Sequence, residues 1–252
     1  MLIWASGTAV VMDFSNVYED AKRAEAYSKL EFPGTYYLAY RDLPKIISCH
    51  VKGTEALDFG CGSGRSTRFL RRLGFSTIGV DISKDMLDRA REIDPEGDYR
   101  LVGDGDFSQF KHETFDLVLS AFTFDNIPTL EKKITILREI GSSLKREGRM
   151  VNLVSSPEIY LYEWASFSTK DFSENRHAKN GDKVRIIQTD TEDKRPVIDI
   201  ICTPEAYREA YEKAKLGIIE VYKPLAKKEE PYKWVNETKI APWTIYVLRR
   251  AW

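Results

Sequence analysis

The chain has 252 residues, 42% of them hydrophobic, and a formal charge of −1 with acidic and basic side chains interspersed. This length suits one large domain or two small ones and buries roughly three-quarters of the unfolded surface, enough for a substantial core. The near-neutral charge argues against nucleic-acid and anionic-membrane partners, and three cysteines without paired spacing (Cys49, Cys61, Cys202) argue against a disulfide framework and for a cytoplasmic location.

Residues 1–12 (MLIWASGTAVVM) are apolar but too short to span a bilayer, and the first basic residue is Lys22. They read as a tail in which Met12 is an alternative start, so residues 1–11 need not belong to the native protein. Residues 15–30 are polar and helix-prone. Residues 35–51 form a second helical stretch, with Thr35 as its expected N-cap, Pro44 as a break and a dense aromatic content that includes Tyr36, Tyr37 and Tyr40.

An apolar run at 56–59 then enters the stretch ALDFGCGSGRST (residues 56–67) and a helix over 66–73 that Gly74 ends. A strand-to-helix turn this tight needs positive φ and close backbone approach, which glycine supplies, and the helix aims its amide groups at whatever the turn holds. Strands follow at 76–80, 99–102, 115–122 and 149–154, separated by helices at 84–93 and 130–144. This alternation predicts a doubly wound α/β sheet with right-handed crossovers. Residues 155–202 are too long for a simple connection. They begin aromatic (Tyr160, Tyr162, Trp164, Phe167) and close with two β-like runs, 184–189 and 197–201, expected to pair as a hairpin. Thr203-Pro204 opens a last helix, and 217–223 and 243–249 have no helix between them, so they can pair antiparallel. One domain is expected, with a helical cap (1–53), a ligand-binding core (54–154), a lid-like insertion (155–202) and a terminal helix with strands (203–252).

The order D-x-G-x-G-x-G from Asp58 to Gly64, with Arg65 where a dinucleotide fold would place its third glycine, resembles motif I of the class I S-adenosylmethionine (SAM)-dependent methyltransferases. The resemblance has specific motifs over residues 54–154 and matches the flanks in layout only. It implies a Rossmann-like, mostly parallel sheet with an antiparallel last strand, and a turn (Gly60, Cys61, Gly62, Gly64) beneath the cofactor's methionine. It further implies that Asp81, about twenty residues past Gly60, accepts hydrogen bonds from ribose hydroxyls. Met86 would flank the adenine face, and Asp104 would bind the adenine amino group, with Gly105 and Asp106 lining the same pocket. Asp58 and Ile82 are further cofactor-binding positions, and Ser120, Ala121 and Phe122 would pass beneath the methionine and sulfonium.

The expected activity is methyl transfer from SAM, leaving S-adenosylhomocysteine. In-line transfer depends mainly on alignment, with a general base needed only when the acceptor must lose a proton. Candidate bases are Asp125, Glu158, Glu163 and His177; His50 and His112 carry no such signal, and no metal-ligand spacing occurs. The Asn/Asp/Ser-Pro-Pro-aromatic motif of amino-methylating nucleic-acid enzymes is absent after the fourth strand, where the chain reads SAFTFDNIP, and no cysteine follows proline. A small-molecule acceptor is therefore expected, planar or partly apolar, met by Tyr37, Asn126, Tyr160 and Trp164, with no nucleic-acid or membrane partner. Two other readings stand beside it: a SAM- or nucleoside-binding protein acting through partners, and an NAD(P) dehydrogenase, which Arg65 and Asp104 disfavour. The sequence leaves the oligomeric state open.

Overall fold

The structure is a computed structural model that describes residues 32–103, 106–110 and 114–251. The expected tail at 1–12, the helix at 15–30 and the expected cofactor positions Asp104 and Gly105 lie outside the described residues, as does His112. Two short helices, α1 (Thr35–Arg41) and α2 (Leu43–His50), lead into β1 (Glu55–Phe59). After it come α3 (Arg65–Arg72), β2 (Ser76–Asp81), α4 (Lys84–Ile93), β3 (Asp98–Leu101), β4 (Phe115–Ala121), α5 (Leu130–Ser143) and β5 (Leu144–Ser155). The insertion carries β6 (Phe167–Ser168), β7 (Lys183–Gln188) and β8 (Val197–Ile200), and α6 (Pro204–Lys213), β9 (Leu216–Tyr222) and β10 (Trp243–Arg250) follow.

The main sheet runs β3-β2-β1-β4-β5-β10-β9. Strands β1 to β5 pair in parallel, and β10 is antiparallel to both β5 and β9. The chain builds outward from β1 to β3, then returns to place β4 on the other side of β1. That reversal opens a crevice at the carboxyl ends of β1 and β4, where open α/β sheets bind ligands.

The period-two alternation of each strand divides the core between two faces. Leu117, Leu119, Val151, Leu153, Ile245 and Val247 face α1, α2 and the insertion. Leu57, Val118, Met150, Val154 and Leu248 face α5 and α6.

Three boundaries differ from the sequence expectation. Gly34 is the N-cap of α1, and Thr35 lies inside the helix, its hydroxyl donating to Glu237 Oε1 at 2.7 Å. The break between α1 and α2 falls at Asp42, with Pro44 in the first turn of α2, where a missing N–H costs nothing. Strand β5 begins at Leu144, five residues before the expected 149, because a register shift lets Leu144 pair with Phe115 before Arg149 pairs with Leu117. The hairpin of the insertion forms as expected and gains a third strand, giving a separate antiparallel sheet β6-β7-β8.

Candidate functional site

The glycine turn sits between β1 and α3. Gly60, Gly62 and Gly64 all have positive φ (72°, 54° and 79°), a region closed to most side chains. The close approaches that demand glycine come from the protein itself. A Cβ on Gly60 would lie 2.1 Å from Thr123 Oγ1, and one on Gly64 would lie 2.4 Å from the Tyr99 hydroxyl. Gly62 is the open position, with only Met86 Cε nearby at 3.0 Å.

Asp58, fully buried at the foot of the turn, accepts the Ser66 and Thr67 hydroxyls on Oδ2 at 2.6 Å each. Burial, partly countered by those two hydroxyls, pushes its pKa up to about 6. Cys61 points into a small cluster with Leu87, Ala90 and Tyr99, and burial raises its thiol pKa well above the ordinary value, so it is an inert packing group.

Asp81 ends β2 across from the turn, its Oδ2 accepting from the Gly62 amide at 2.8 Å and its Oδ1 from the Ser83 amide at 2.9 Å. Burial raises its pKa despite these bonds. Each oxygen keeps lone-pair capacity for a further donor. Ile82 beside it is 44% exposed, an uncovered apolar side chain at a ligand-binding edge. Met86 is buried, with its Cε next to the open Gly62 position, and Asp106 is exposed, accepting from the Ser108 amide at 2.8 Å.

Two buried oxygens at the strand ends have no partner among the described residues: Asp58 Oδ1 on β1 and Ser120 Oγ on β4. Open lone pairs on Asp81, an exposed Ile82, an unfilled approach at Gly62 and these two orphaned oxygens suit a polar, nucleoside-bearing ligand such as SAM.

Phe122, one residue past β4, is held at φ 65°, a conformation that costs a bulky residue about 1–2 kcal/mol. Its amide donates to Leu153 O at 2.8 Å, and the Thr123 hydroxyl bridges to Phe59 O at 3.0 Å. These bonds fix the turn and direct the Phe122 ring into a pocket of about 410 Å³, part of it open to solvent. Tyr36, Phe122, Tyr160, Phe167 and Trp243 supply rings to its wall, and Asp125, Asn126, Gln188 and Asp199 supply polar groups. Strand β8 packs against the 3-10 turn at Thr123–Asn126, so the insertion roofs this space.

Asp125 is buried and accepts from the Ser155 amide at 3.0 Å on Oδ2; burial pushes its pKa up to about 6. The Asn126 amide group donates to Phe122 O at 3.3 Å.

The structure thus brings Phe122, Asp125, Asn126 and Tyr160 into one pocket. It leaves others out. Trp164 is a core residue, 3% exposed, whose indole donates to Ile159 O at 2.8 Å. Tyr37 rests against Tyr232 with centroids 5.1 Å apart, outside the pocket wall. Glu163 binds the Thr169 amide at 2.6 Å, His177 ends an exposed 3-10 turn, and Glu158 is half-buried with an unpartnered Oε2; none of the three lines the pocket. Tyr36, Gln188, Asp199 and Trp243 line it without having been singled out, because they come from α1, β7, β8 and β10 and no local spacing links them.

The protein family described as "Methyltransferase domain" matches residues 57–152. The cypemycin N-terminal methyltransferase of a Streptomyces species is 33% identical over 144 residues, 54% of this chain and 56% of that protein. The tRNA (carboxymethyluridine(34)-5-O)-methyltransferase of Saccharomyces cerevisiae is 29% identical over 138 residues, 53% of this chain and 44% of that one. The chain therefore spans about half the length of these curated relatives. Among solved structures, Streptomyces venezuelae DesVI superposes with a TM-score of 0.64 at 17% identity, covering 91% of this chain and 98% of that one, a likeness of fold.

Proposed function

We propose that this chain, which belongs to the class I S-adenosylmethionine-dependent methyltransferases, transfers a methyl group to a small-molecule acceptor held in the aromatic pocket beside the glycine turn. The observation that carries this reading is the strained Phe122. It directly follows β4 and is also part of the pocket wall, so cofactor edge and acceptor space share one residue. SAM, when bound, supplies an electrophilic methyl on a sulfonium and leaves as S-adenosylhomocysteine.

The protein's part is to bind, align and exclude water. Asp81 holds ribose hydroxyls and Ile82 offers an apolar face, while the turn from Gly60 to Gly64 underlies the methionine end. Ser120 and Ala121, at the end of β4, lie on the path to the pocket, and Asp104, Gly105 and Asp106 remain the proposed adenine pocket. The insertion acts as a lid on a single domain, shielding the acceptor from water. Of the four candidate bases, Asp125 is the one in the pocket wall, where burial raises its pKa.

A small acceptor is supported by the pocket's size and by the charge of −1, which offers little to a polyanion. One relative is named an N-terminal methyltransferase and another a tRNA methyltransferase, so the acceptor class is tested directly. The full chain is incubated with methyl-labelled SAM and, separately, with a metabolite extract and total RNA. Label in the small-molecule fraction is expected. Label confined to RNA would overturn the small-molecule reading, and SAM binding without any label transfer would favour a non-catalytic SAM-binding protein.

A further inference from the structure

The pocket wall has an uneven charge. Asp125 and Asp199 both face the space, and among the described residues the wall contains no Lys, Arg or His. Asp125 is committed to the protein: Ser155 N–H donates to Oδ1 at 3.3 Å and Oδ2 at 3.0 Å, and the Tyr207 hydroxyl donates to Oδ1 at 3.5 Å. Behind the turn, the buried Lys133 ammonium donates to the carbonyls of Phe124 and Ile127, the latter at 2.7 Å. Its charge offsets one carboxylate from outside the pocket.

Asp199 is different. It is 9% exposed, it accepts the Tyr160 hydroxyl on Oδ2 at 3.0 Å, and among the described residues no donor reaches its Oδ1. Asp199 lines the pocket, so this oxygen is open to a donor from outside the chain. Burial, then the Asp125 charge, pushes Asp199 up to about 7, with Tyr160 and Lys133 acting in the opposite direction.

The rest of the wall combines aromatic rings with Asn126, Ser155, Gln188 and the aliphatic Ile159, Ile186 and Val197. Tyr36, Phe122, Phe167 and Trp243 form a cluster whose neighbouring centroids are 4.7 to 6.0 Å apart. A half-paired carboxylate and the negative faces of aromatic rings attract the same partner, a cation with N–H donors. Both repel a carboxylate acceptor or a developing oxyanion.

We infer that the acceptor presents a protonated amine, which binds between Asp199 and the ring cluster, and that Asp199 takes the proton that frees the nitrogen for methylation. This rests on the methyl-transfer reading above. The proton leaves nitrogen for Asp199 Oδ1, and the freed lone pair forms the new N–C bond. The C–S bond breaks with its electron pair left on sulfur, and the methylated nitrogen carries the positive charge.

Propylamine, cyclohexylmethylamine, phenethylamine and tryptamine are titrated into the full chain, each against its matching alcohol, with S-adenosylhomocysteine binding measured in parallel. At least one amine is expected to bind about tenfold or more tighter than its alcohol, a difference that Asp199→Asn removes without changing S-adenosylhomocysteine affinity. Calorimetry near pH 6.5 in buffers of different ionisation heat should also show release of up to about one proton per amine bound, because an ammonium favours the ionised carboxylate. If Asp199→Asn fails to fold, this wild-type proton release decides the matter.

Amines binding no better than alcohols, a preference that survives in folded Asp199→Asn, or amine binding without proton release overturns the amine assignment. With S-adenosylhomocysteine still bound, the methyl-transfer reading is untouched by that result. A wild-type chain that does not bind S-adenosylhomocysteine overturns both.

Discussion

Asp81 serves the turn and, in the proposed reading, a ligand. Its two oxygens pin the amides of Gly62 and Ser83, so its orientation is set before any ribose arrives. Asp81→Ala should weaken SAM binding by about 1–3 kcal/mol, the cost of losing charge-assisted hydrogen bonds. Calorimetry that finds unchanged affinity in a folded variant would remove Asp81 from the site. Trp164 makes the opposite case. Its aromatic neighbours in sequence suggest an acceptor contact, yet its ring lies in the core and its N–H is satisfied by Ile159 O. Trp164→Ala should cost about 3–5 kcal/mol of stability, read as a lower melting temperature, with acceptor KM unchanged in the surviving fold. A raised KM with an unaltered melt would return it to the pocket.

At the scale of elements, the roof of the pocket depends on a buried carboxylate far away in sequence. Glu237, in the loop between β9 and β10, is fully buried and accepts four donors. Oε1 takes the Thr35 hydroxyl at 2.7 Å and the Ala165 amide at 2.6 Å, and Oε2 takes the amides of Val235 at 2.8 Å and Asn236 at 3.1 Å. One side chain therefore ties α1, the insertion and its own loop together, next to the ring cluster that Tyr36 and Trp243 build. Glu237→Ala leaves those donors buried and should cost about 2–3 kcal/mol of stability. Faster hydrogen exchange at Thr35, Ala165 and Ser166 should accompany it. Exchange rates that change only globally would show that the three segments are held by packing alone.

For the whole molecule, the buried carboxylates set a pH dependence. Asp58, Asp125 and Asp199 stand at about 6, 6 and 7, all raised chiefly by burial from an ordinary value of 3.8. Arg65, Ser66 and Thr67 favour the ionised form of the first and Asp81 opposes it; Lys133, Ser155 and Tyr207 favour that of the second; Tyr160 and Lys133 favour that of the third and Asp125 opposes it. A carboxyl whose folded pKa is raised contributes stability that is complete below the unfolded pKa and is lost as pH rises through the folded one. Stability should therefore fall between about pH 4 and pH 7, and Asp199→Asn should flatten the upper part of that fall. Melting temperatures that rise across this window would contradict the assignment of burial as the dominant cause.

Much of this molecule was decided locally and is legible in the chain. The glycine spacing from Asp58 to Gly64, the aspartate that closes β2 and the apolar run of β4 fix strand, turn and helix through short-range backbone geometry. Repeating that unit determines a parallel sheet and the edge at which a ligand binds, because crossover handedness leaves few alternatives. The proposed acceptor pocket was not legible in this way. Its wall takes Tyr36 from α1, Phe122 and Asp125 from the turn after β4, Gln188 and Asp199 from the insertion and Trp243 from β10, and no periodicity spans those separations. Nor does the sequence distinguish Trp164, which packs inward, from Trp243, which reaches the pocket, since both are aromatic residues at strand or turn boundaries. Only the docking of the insertion across the carboxyl ends of β4 and β5 decides which ring fills the core and which carboxylate is left with an unpaired oxygen. Such docking is set by burial of whole surfaces and by long-range anchors such as Glu237, interactions that exist only once the chain has folded.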